Sequence, residues 1–283
     1  MNIKANMVEM KVHQIKIDFN VTEQIKRFVY VYILEAESLY LIDSGVYGSE
    51  TKIMDYLDSI GRNTSEIKGV FLTHAHPDHI GSAAWFREHS GCKIYASEGE
   101  RLWIEDIDLQ FKERPIPNFY NLAGKSSKVD FVVKDGDEIR LEGGAMIKVI
   151  RTAGHSCDEV SYLVGDCLFI GDAVPVKGDI PIFIDEQEIR KTMNILETLE
   201  GIETYYPAWD QTYDREMMKS RLADAVEIID MLKNTVLELD DGTDLETLTS
   251  QVCDRLNMQM LKTNPLFCRT INCLRGGVIM TKS

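Results

Sequence analysis

Between Thr73 and Ile80 the chain reads THAHPDHI, placing three imidazoles and a carboxylate within six positions. Groups crowded in this way repel and desolvate one another unless they share a cation. His74 and His76 are two residues apart, so in an extended loop their rings point the same way. Pro77 stiffens the turn, and Asp78 and His79 stand just beyond it, aimed in a second direction. Two pairs of candidate ligands therefore face two neighbouring points in space. A structural zinc site would favour a closed, cysteine-rich tetrahedron, and none of Cys92, Cys157, Cys167, Cys253, Cys268 and Cys273 forms a C-x-x-C pair. The chemistry expected is that of divalent cations that make water nucleophilic. Cys157 lies two residues past His155 and could approach a metal; its other reading is a buried small hydrophobe.

The residues around this stretch predict what must hold it. GVFLT (69–73) is a wholly apolar strand, as expected when both faces are buried. IGSAAWFREHSG (80–91) reads as a helix stopped by Gly91, so the histidine motif is a strand-to-helix connection. RFVYVYIL (27–34) and SLYLID (38–43) read as paired strands rich in β-branched and aromatic residues. SETKIMDYLDSIG (49–61) puts Ile53, Leu57 and Ile60 on one helical face. A strand at KIYA (93–96) follows. Residues 106–128 lack periodicity and are expected to form a long loop with one helical turn at most. Strands resume at DFVVK, EIRL, MIKVIRT, EVSYLV and CLFIG, followed by a helix over 186–201 and a strand near ETYYP. The echo between YLIDSG and LFIGDA suggests two similar halves.

Beyond Asp214 the pattern is helical only. Leu222, Val226, Ile229, Leu232 and Val236 keep helical spacing, Thr243 and Glu246 form a capping box, and Asn264-Pro265 starts a further helix that Gly276 ends. This predicts a domain over 1–213 and a helical module over 214–283, whose methionines and leucines fit a core or a homodimer interface.

Four segments in order, LIDSG, THAHPDH, TAGHSCDEVSYLV and FIGDAV, resemble the metallo-β-lactamase fold superfamily, in particular its H-x-H-x-D-H hydrolases of the glyoxalase II-like group. The likeness covers about residues 27–213. It implies a four-layer αββα sandwich, an α/β (α+β) fold with the metals at one edge between the two sheets. By the same resemblance His74, His76 and His155 hold a first metal, Asp78 and His79 a second, and Asp172 bridges both. Asp78 and Asp172 are then the catalytic carboxylates, and Asp43 is an acid that steadies the metal loop from behind. Two divalent metals are implied, zinc first, with iron or manganese as alternatives.

The family usually adds a histidine after the bridging aspartate, but this chain has none beyond His155. The corresponding stretch is YYPAWDQTYD, in which Asp210 is the candidate replacement; a turn-capping role is its alternative. An aspartate there would harden the site and shift its preference from zinc toward iron or manganese. If Asp210 does not bind, the second metal is expected to be weak or absent. Trp209 could close the pocket. Phe111, Phe119 and Tyr120 could wall it, and Lys177 could grip a substrate carboxylate or phosphate.

The chain of 283 residues suits one large domain, or one of about 200 with a small companion. Hydrophobic residues make up 44%, enough for a full core. The net charge of −15 repels phosphate backbones, so nucleic acid is not the expected partner. No apolar run approaches the length of a bilayer span. Lys4, Glu9 and Lys11 interrupt the N-terminal stretch where a secretory signal would need an unbroken apolar segment. A cytoplasmic protein with reduced thiols is expected. The leading function is a metal-dependent hydrolase that cleaves an ester, thioester, lactone or amide bond in a small molecule. The alternatives are an iron-dependent, sulfur dioxygenase-like oxidoreductase, then a phosphodiesterase or nuclease, then a metal or ligand sensor without catalysis.

Overall fold

Two runs of alternating side chains open the fold in a computed structural model that describes residues 10–277. KVHQIKIDFN and KRFVYVYILE pair antiparallel as β1 (Lys11–Asn20) and β2 (Lys26–Glu35), from Lys11 opposite Glu35 to Asn20 opposite Lys26. β1 is not among the elements expected from the sequence. Its His13, Ile15 and Ile17 turn inward while charged residues alternate outward, the period of a half-buried strand. The stretch where no leader was expected lies largely in residues 1–9, outside the described residues, as do residues 278–283.

The helix expected over 49–61 forms as α1 (Ser49–Ser59), and the first sheet continues through β3 (Leu39–Ile42), β4 (Ile67–Phe71), β5 (Lys93–Ser97) and β6 (Phe131–Val133). Its order is β1-β2-β3-β4-β5-β6, with the last three pairings parallel. The histidine motif runs from the end of β4 into the short α2 (Pro77–Ile80), followed by α3 (Ala83–Ser90). The second sheet holds β7 (Glu138–Arg140), β8 (Met146–Arg151), β9 (Val160–Val164), β10 (Cys167–Gly171) and β11 (Thr204–Pro207), in the order β11-β10-β9-β8-β7.

The two sheets face each other across Tyr32, Leu34, Ile42 and Phe71 on one side and Ile147, Val149, Tyr162 and Phe169 on the other. Ile53 and Leu57 of α1 and Phe86 of α3 cover the outer face of the first sheet. α7 (Glu186–Thr198) covers the second through Ile189, Met193 and Leu196. α8 (Arg215–Leu239), α9 (Leu245–Arg255) and α10 (Pro265–Leu274) continue that layer. The architecture is αββα with a helical C-terminal region. Each large apolar side chain so buried contributes roughly 1.5–3 kcal/mol before the entropy of ordering it is subtracted. Leu168 and Tyr205 share one apolar cluster with Leu222, Ile229 and Phe267, so the core is continuous across the expected boundary at 213.

Two expectations are corrected. Residues 106–128 are not a long loop. After α4 (Glu98–Glu105), Asp106 caps α5 (Ile107–Glu113) by accepting from Leu109 N at 3.0 Å, and α6 (Phe119–Ala123) follows Pro115 and Pro117. Each of these helices is too short to show an apolar stripe over several turns, which hides the period. The cap of α9 is Asp244, which accepts from Thr247 N at 2.9 Å, one residue after the expected Thr243. Among the described residues no helix is long and apolar enough to cross a membrane, and the cysteines are free.

Candidate metal centre

β4 delivers the chain into the site. Past Phe71 the chain bends at Thr73 and reaches His76, whose extended backbone stands as the cap of α2, and Pro77 takes the first helical position, where its missing N–H costs nothing. His74 Nε2 and His155 Nε2 both lie 2.9 Å from His76 Nδ1. Asp172 Oδ2 closes the group, 3.4 Å from His155 Nε2 and 3.8 Å from His74 Nε2. The same oxygen reaches a second group, 3.3 Å from His79 Nε2, which lies 3.7 Å from Asp78 Oδ2. His74, His76, His155 and Asp172 thus form one cluster of donor atoms, and Asp78, His79 and Asp172 another.

These donors fit divalent cations. Ligands held about 2.0–2.1 Å from a tetrahedral zinc stand roughly 3.3 Å apart, in the range of the contacts observed. Protons alone cannot satisfy the three converging imidazoles, because His76 Nδ1 serves two neighbours at once. Asp78 Oδ2, His79 Nε2 and Asp172 Oδ1 are buried without a hydrogen-bond partner, a cost native structures rarely bear without an ion or water.

The surroundings choose which ring nitrogen faces inward. His155 Nδ1 donates to the Ile182 carbonyl at 3.0 Å, leaving Nε2 its lone pair. His79 Nδ1 meets Asp43 Oδ2 at 2.8 Å. Asp43 also accepts from Thr73 N at 2.8 Å, and it holds a left-handed backbone with φ of 59°. Such a conformation costs a non-glycine residue on the order of 1 kcal/mol or more. Glycine solves a similar problem at Gly171, φ 51°, where a Cβ would stand 2.7 Å from Glu159 Oε1 and 2.8 Å from Thr73 Oγ1. The chain can therefore press Asp172 against the site.

Burial, then the charge of His79, holds the His74 imidazole well below its ordinary pKa. Burial and Arg114 do the same to His76. Burial takes His155 down to about 4. For His79 burial also opposes the charge, but Asp172, Asp43 and Asp78 outweigh it and lift the imidazole well above its usual range. Burial raises Asp78. Asp172 is held low because His79 overcomes its burial.

Beside Asp172 and His155 opens a pocket lined in part by Arg27, Val174, Pro175, Ile180 and Trp209. Arg27 stacks over Trp209, 4.0 Å from guanidinium carbon to ring centre, and grips Asp179 with contacts of 2.7 and 2.8 Å. Trp209 stands in the lining of this pocket, with Nε1 buried and unpartnered. Asp210 is not in either donor cluster. Its carboxylate accepts from Tyr213 Oη at 2.7 Å and from Gln211 N at 2.8 Å and faces Arg221 at 3.3 Å. Lys177 does not reach the pocket either: it is exposed and pairs with Asp224 and Glu227 of α8, drawn there by their charge. Phe119 is sealed in the core of the first sheet, with Phe111 packed against it. Tyr120 is 47% exposed and donates to Asp108. None of the three aromatics is among the pocket residues. Cys157 turns away, its thiol donating to the Gly99 carbonyl at 3.2 Å.

Four residues went unnoticed in the sequence. Glu100, fully buried, accepts from Ala75 N at 3.0 Å on the histidine loop and from Asp158 N at 3.0 Å and Ser156 Oγ at 2.5 Å beside His155. It ties the two ligand-bearing loops together. Glu159 accepts from Asp172 N at 2.8 Å and stands 3.5 Å from His74 Nδ1, its carboxyl raised well above the usual range by burial and by Asp172. Arg27 and Arg114 are the others. Two runs carried a signal, a charged residue opening an apolar strand: Glu159 before VSYLV and Arg27 before FVYVYIL.

A family model described as the Metallo-beta-lactamase superfamily matches residues 25–209. A hydroxyacylglutathione hydrolase of Thiobacillus denitrificans is 30% identical over 128 residues, covering 45% of this chain and 40% of that protein. A probable metallo-hydrolase, YqgX, of Bacillus subtilis is 28% identical over 157 residues, covering 53% of this chain and 66% of that one. The chain thus spans less than half the length of the first of these relatives. Among solved structures, a metallo-beta-lactamase family protein from Thermus thermophilus superposes with a TM-score of 0.72 at 16% identity, over 94% of both chains.

Proposed function

This chain belongs to the metallo-beta-lactamase superfamily, and from that premise we propose that it is a metal-dependent hydrolase that cleaves an ester, thioester, lactone or amide bond of a small molecule. One observation carries the reading: two clusters of imidazole and carboxylate donors meet at Asp172 Oδ2, with three of their buried atoms left without a partner. His74, His76 and His155 would hold one cation, Asp78 and His79 another, and Asp172 would touch both. When bound, the cations supply a nucleophilic water at neutral pH and polarise a substrate oxygen.

The chain's own residues do the rest. Asp43 and the Ile182 carbonyl hold two of the rings in the tautomer that turns Nε2 inward. Asp78 would accept, through the carboxylate oxygen not turned toward the cation, the proton that an attacking water gives up. Val174, Pro175, Ile180 and Trp209 offer an apolar wall that keeps bulk water from the bond under attack, and Trp209 Nε1 is a free donor for a substrate carbonyl. The name of the Thiobacillus relative favours a thioester among the four bond types. Asp210 lies outside the clusters, so the second cation has three protein donors and is the weaker of the two. Residues 1–213 are assigned as the metal-binding domain and 214–283 as a helical module that closes one side of it. In support, Thr270 of α10 bonds the Pro181 and Phe183 carbonyls on either side of the residue that orients His155.

The test is elemental analysis of protein purified without added metal, followed by thioester, lactone, ester and phosphodiester assays before and after chelation. Stripped protein that turns over as fast as loaded protein would overturn the reading.

A further inference from the structure

The pocket beside Asp172 and His155 is apolar except for one pair of opposite charges. Val174, Pro175, Val176, Ile180 and Ile182, all from the segment that follows Asp172, form most of its wall, and Trp209 adds to it. Among the described residues its charged lining, apart from the ligands His155 and Asp172, consists of Arg27 and Asp179. Lys177 belongs to the same segment, but two carboxylates of α8 draw it away. Counted to its open mouth the pocket holds about 450 Å³, toward the small end of ligand clefts, which suits a short group.

Arg27 and Asp179 cancel each other. Nη2 of Arg27, near the start of β2, donates to both carboxylate oxygens of Asp179, at 2.7 and 2.8 Å. The two side chains are 21% and 27% exposed, so water screens the pair only in part. Each partner is also held from its own side. Asp179 Oδ1 accepts from Ile180 N at 2.6 Å, and Asp179 N donates to the Val176 carbonyl at 3.1 Å. The Arg27 guanidinium lies over the Trp209 ring, 4.0 Å from carbon to ring centre. Neither charge can turn to a ligand without leaving the other unpaired, which is costly in a partly buried setting. A substrate chain ending in a carboxylate must displace Asp179 from Arg27 or face its repulsion. A chain ending in an ammonium meets Arg27 in the same way. An uncharged chain meets carbon, and its burial is favourable.

We propose that this pocket receives the acyl group of the substrate and that the Arg27–Asp179 pair makes it select a short, uncharged, apolar one, with Asp179 as the specificity-determining residue. The pocket opens directly beside Asp172 and His155, so the chain attached to a carbonyl held at the clusters enters it first. Removing one charge of the pair then changes which acyl group is preferred. This rests on the hydrolase reading for the bond that is cleaved, but not for the group that is bound.

The experiment uses metal-loaded protein and two hydroxamates, whose head group chelates the cations and leaves the tail for the pocket. One is hexanohydroxamate; the other is adipic monohydroxamate, the same chain ending in a carboxylate. Calorimetry gives the Kd of each for the wild type, Asp179→Asn, Arg27→Gln and the double variant. The wild type is expected to bind the uncharged tail about tenfold to hundredfold more tightly. Asp179→Asn frees the guanidinium and should shift that ratio by about tenfold or more toward the carboxylate. Arg27→Gln bares Asp179 and should shift it the other way, and the double variant should return toward the wild-type ratio. Hexanoyl and adipoyl thioesters should follow the same order in kcat/KM. Elemental analysis and urea unfolding of each variant report an intact site. A wild type that binds both tails equally, or an Asp179→Asn variant with metal content retained and the ratio unchanged, overturns the proposal. The expected ratios, with no thioester or other bond cleaved by any form, would sink the hydrolase reading and leave the selectivity of the pocket standing.

Discussion

Asp43 Oδ2 and His79 Nδ1 stand 2.8 Å apart, and that contact decides which nitrogen of His79 looks into the metal site. Asp43 accepts from Thr73 N with its other oxygen, so one carboxylate fixes both the strand end and the ring. Asp43→Asn keeps the shape but sets an amide donor against one of those two donors. It should weaken binding of the second metal equivalent by about tenfold to hundredfold, read by competition with a chromophoric chelator. Unchanged affinity would show that the ring is held by packing alone.

The charges around His79 predict how binding follows pH. Without a cation the imidazole, lifted by Asp172, Asp43 and Asp78, keeps its proton at neutral pH. A cation at Nε2 must displace that proton, so the second group's affinity should fall as pH falls. His74, His76 and His155 are held low and have no such proton to release. Calorimetry in buffers of different ionisation enthalpy should find more protons released by the second equivalent than by the first. Equal release by both would contradict this assignment.

Glu100 joins the two ligand-bearing loops from between them, one oxygen on each. In Glu100→Gln an amide N–H must face either Ala75 N or the Ser156 and Asp158 donors, all in a buried setting. Leaving one such donor unpaired costs about 1–3 kcal/mol. The variant should unfold at lower denaturant, and bound metal should restore part of the loss by holding His155 to the other ligands. A variant as stable as the wild type in the metal-free state would remove Glu100 from this role.

The ligand cluster was legible because its residues fall in dense local motifs at strand ends, where type and spacing carry information. The partners that orient them were harder to see. Asp43 was marked by its place in LIDSG, but Glu100 and Arg114 sit in segments without a motif, and only folding brings them to the histidines. The strands of both sheets followed from short runs in the sequence and their grouping into two sheets from the family resemblance, except β1, whose polar alternation resembles an exposed segment until β2 pairs with it. The short helices α4, α5 and α6, between residues 98 and 123, were masked by their brevity. Lys177 was read from sequence nearness to Asp172, and two carboxylates on α8, distant in sequence, claim it.

Asp210 shows how a local reading can name a plausible residue and miss its use. An aspartate in the stretch where a further histidine is usual invites a ligand role, and that role predicts a lower metal content on removal. In the folded chain the same carboxylate accepts from the hydroxyl of Tyr213, itself 1% exposed, and faces Arg221. Asp210→Ala should therefore leave metal content unchanged and strip a buried hydroxyl of its acceptor, a loss of about 1–3 kcal/mol in unfolding free energy. Elemental analysis and urea unfolding on one preparation separate the two roles. A drop in bound metal with stability intact would return Asp210 to the ligand set and mean that the loop from 208 to 212 swings inward when a cation binds.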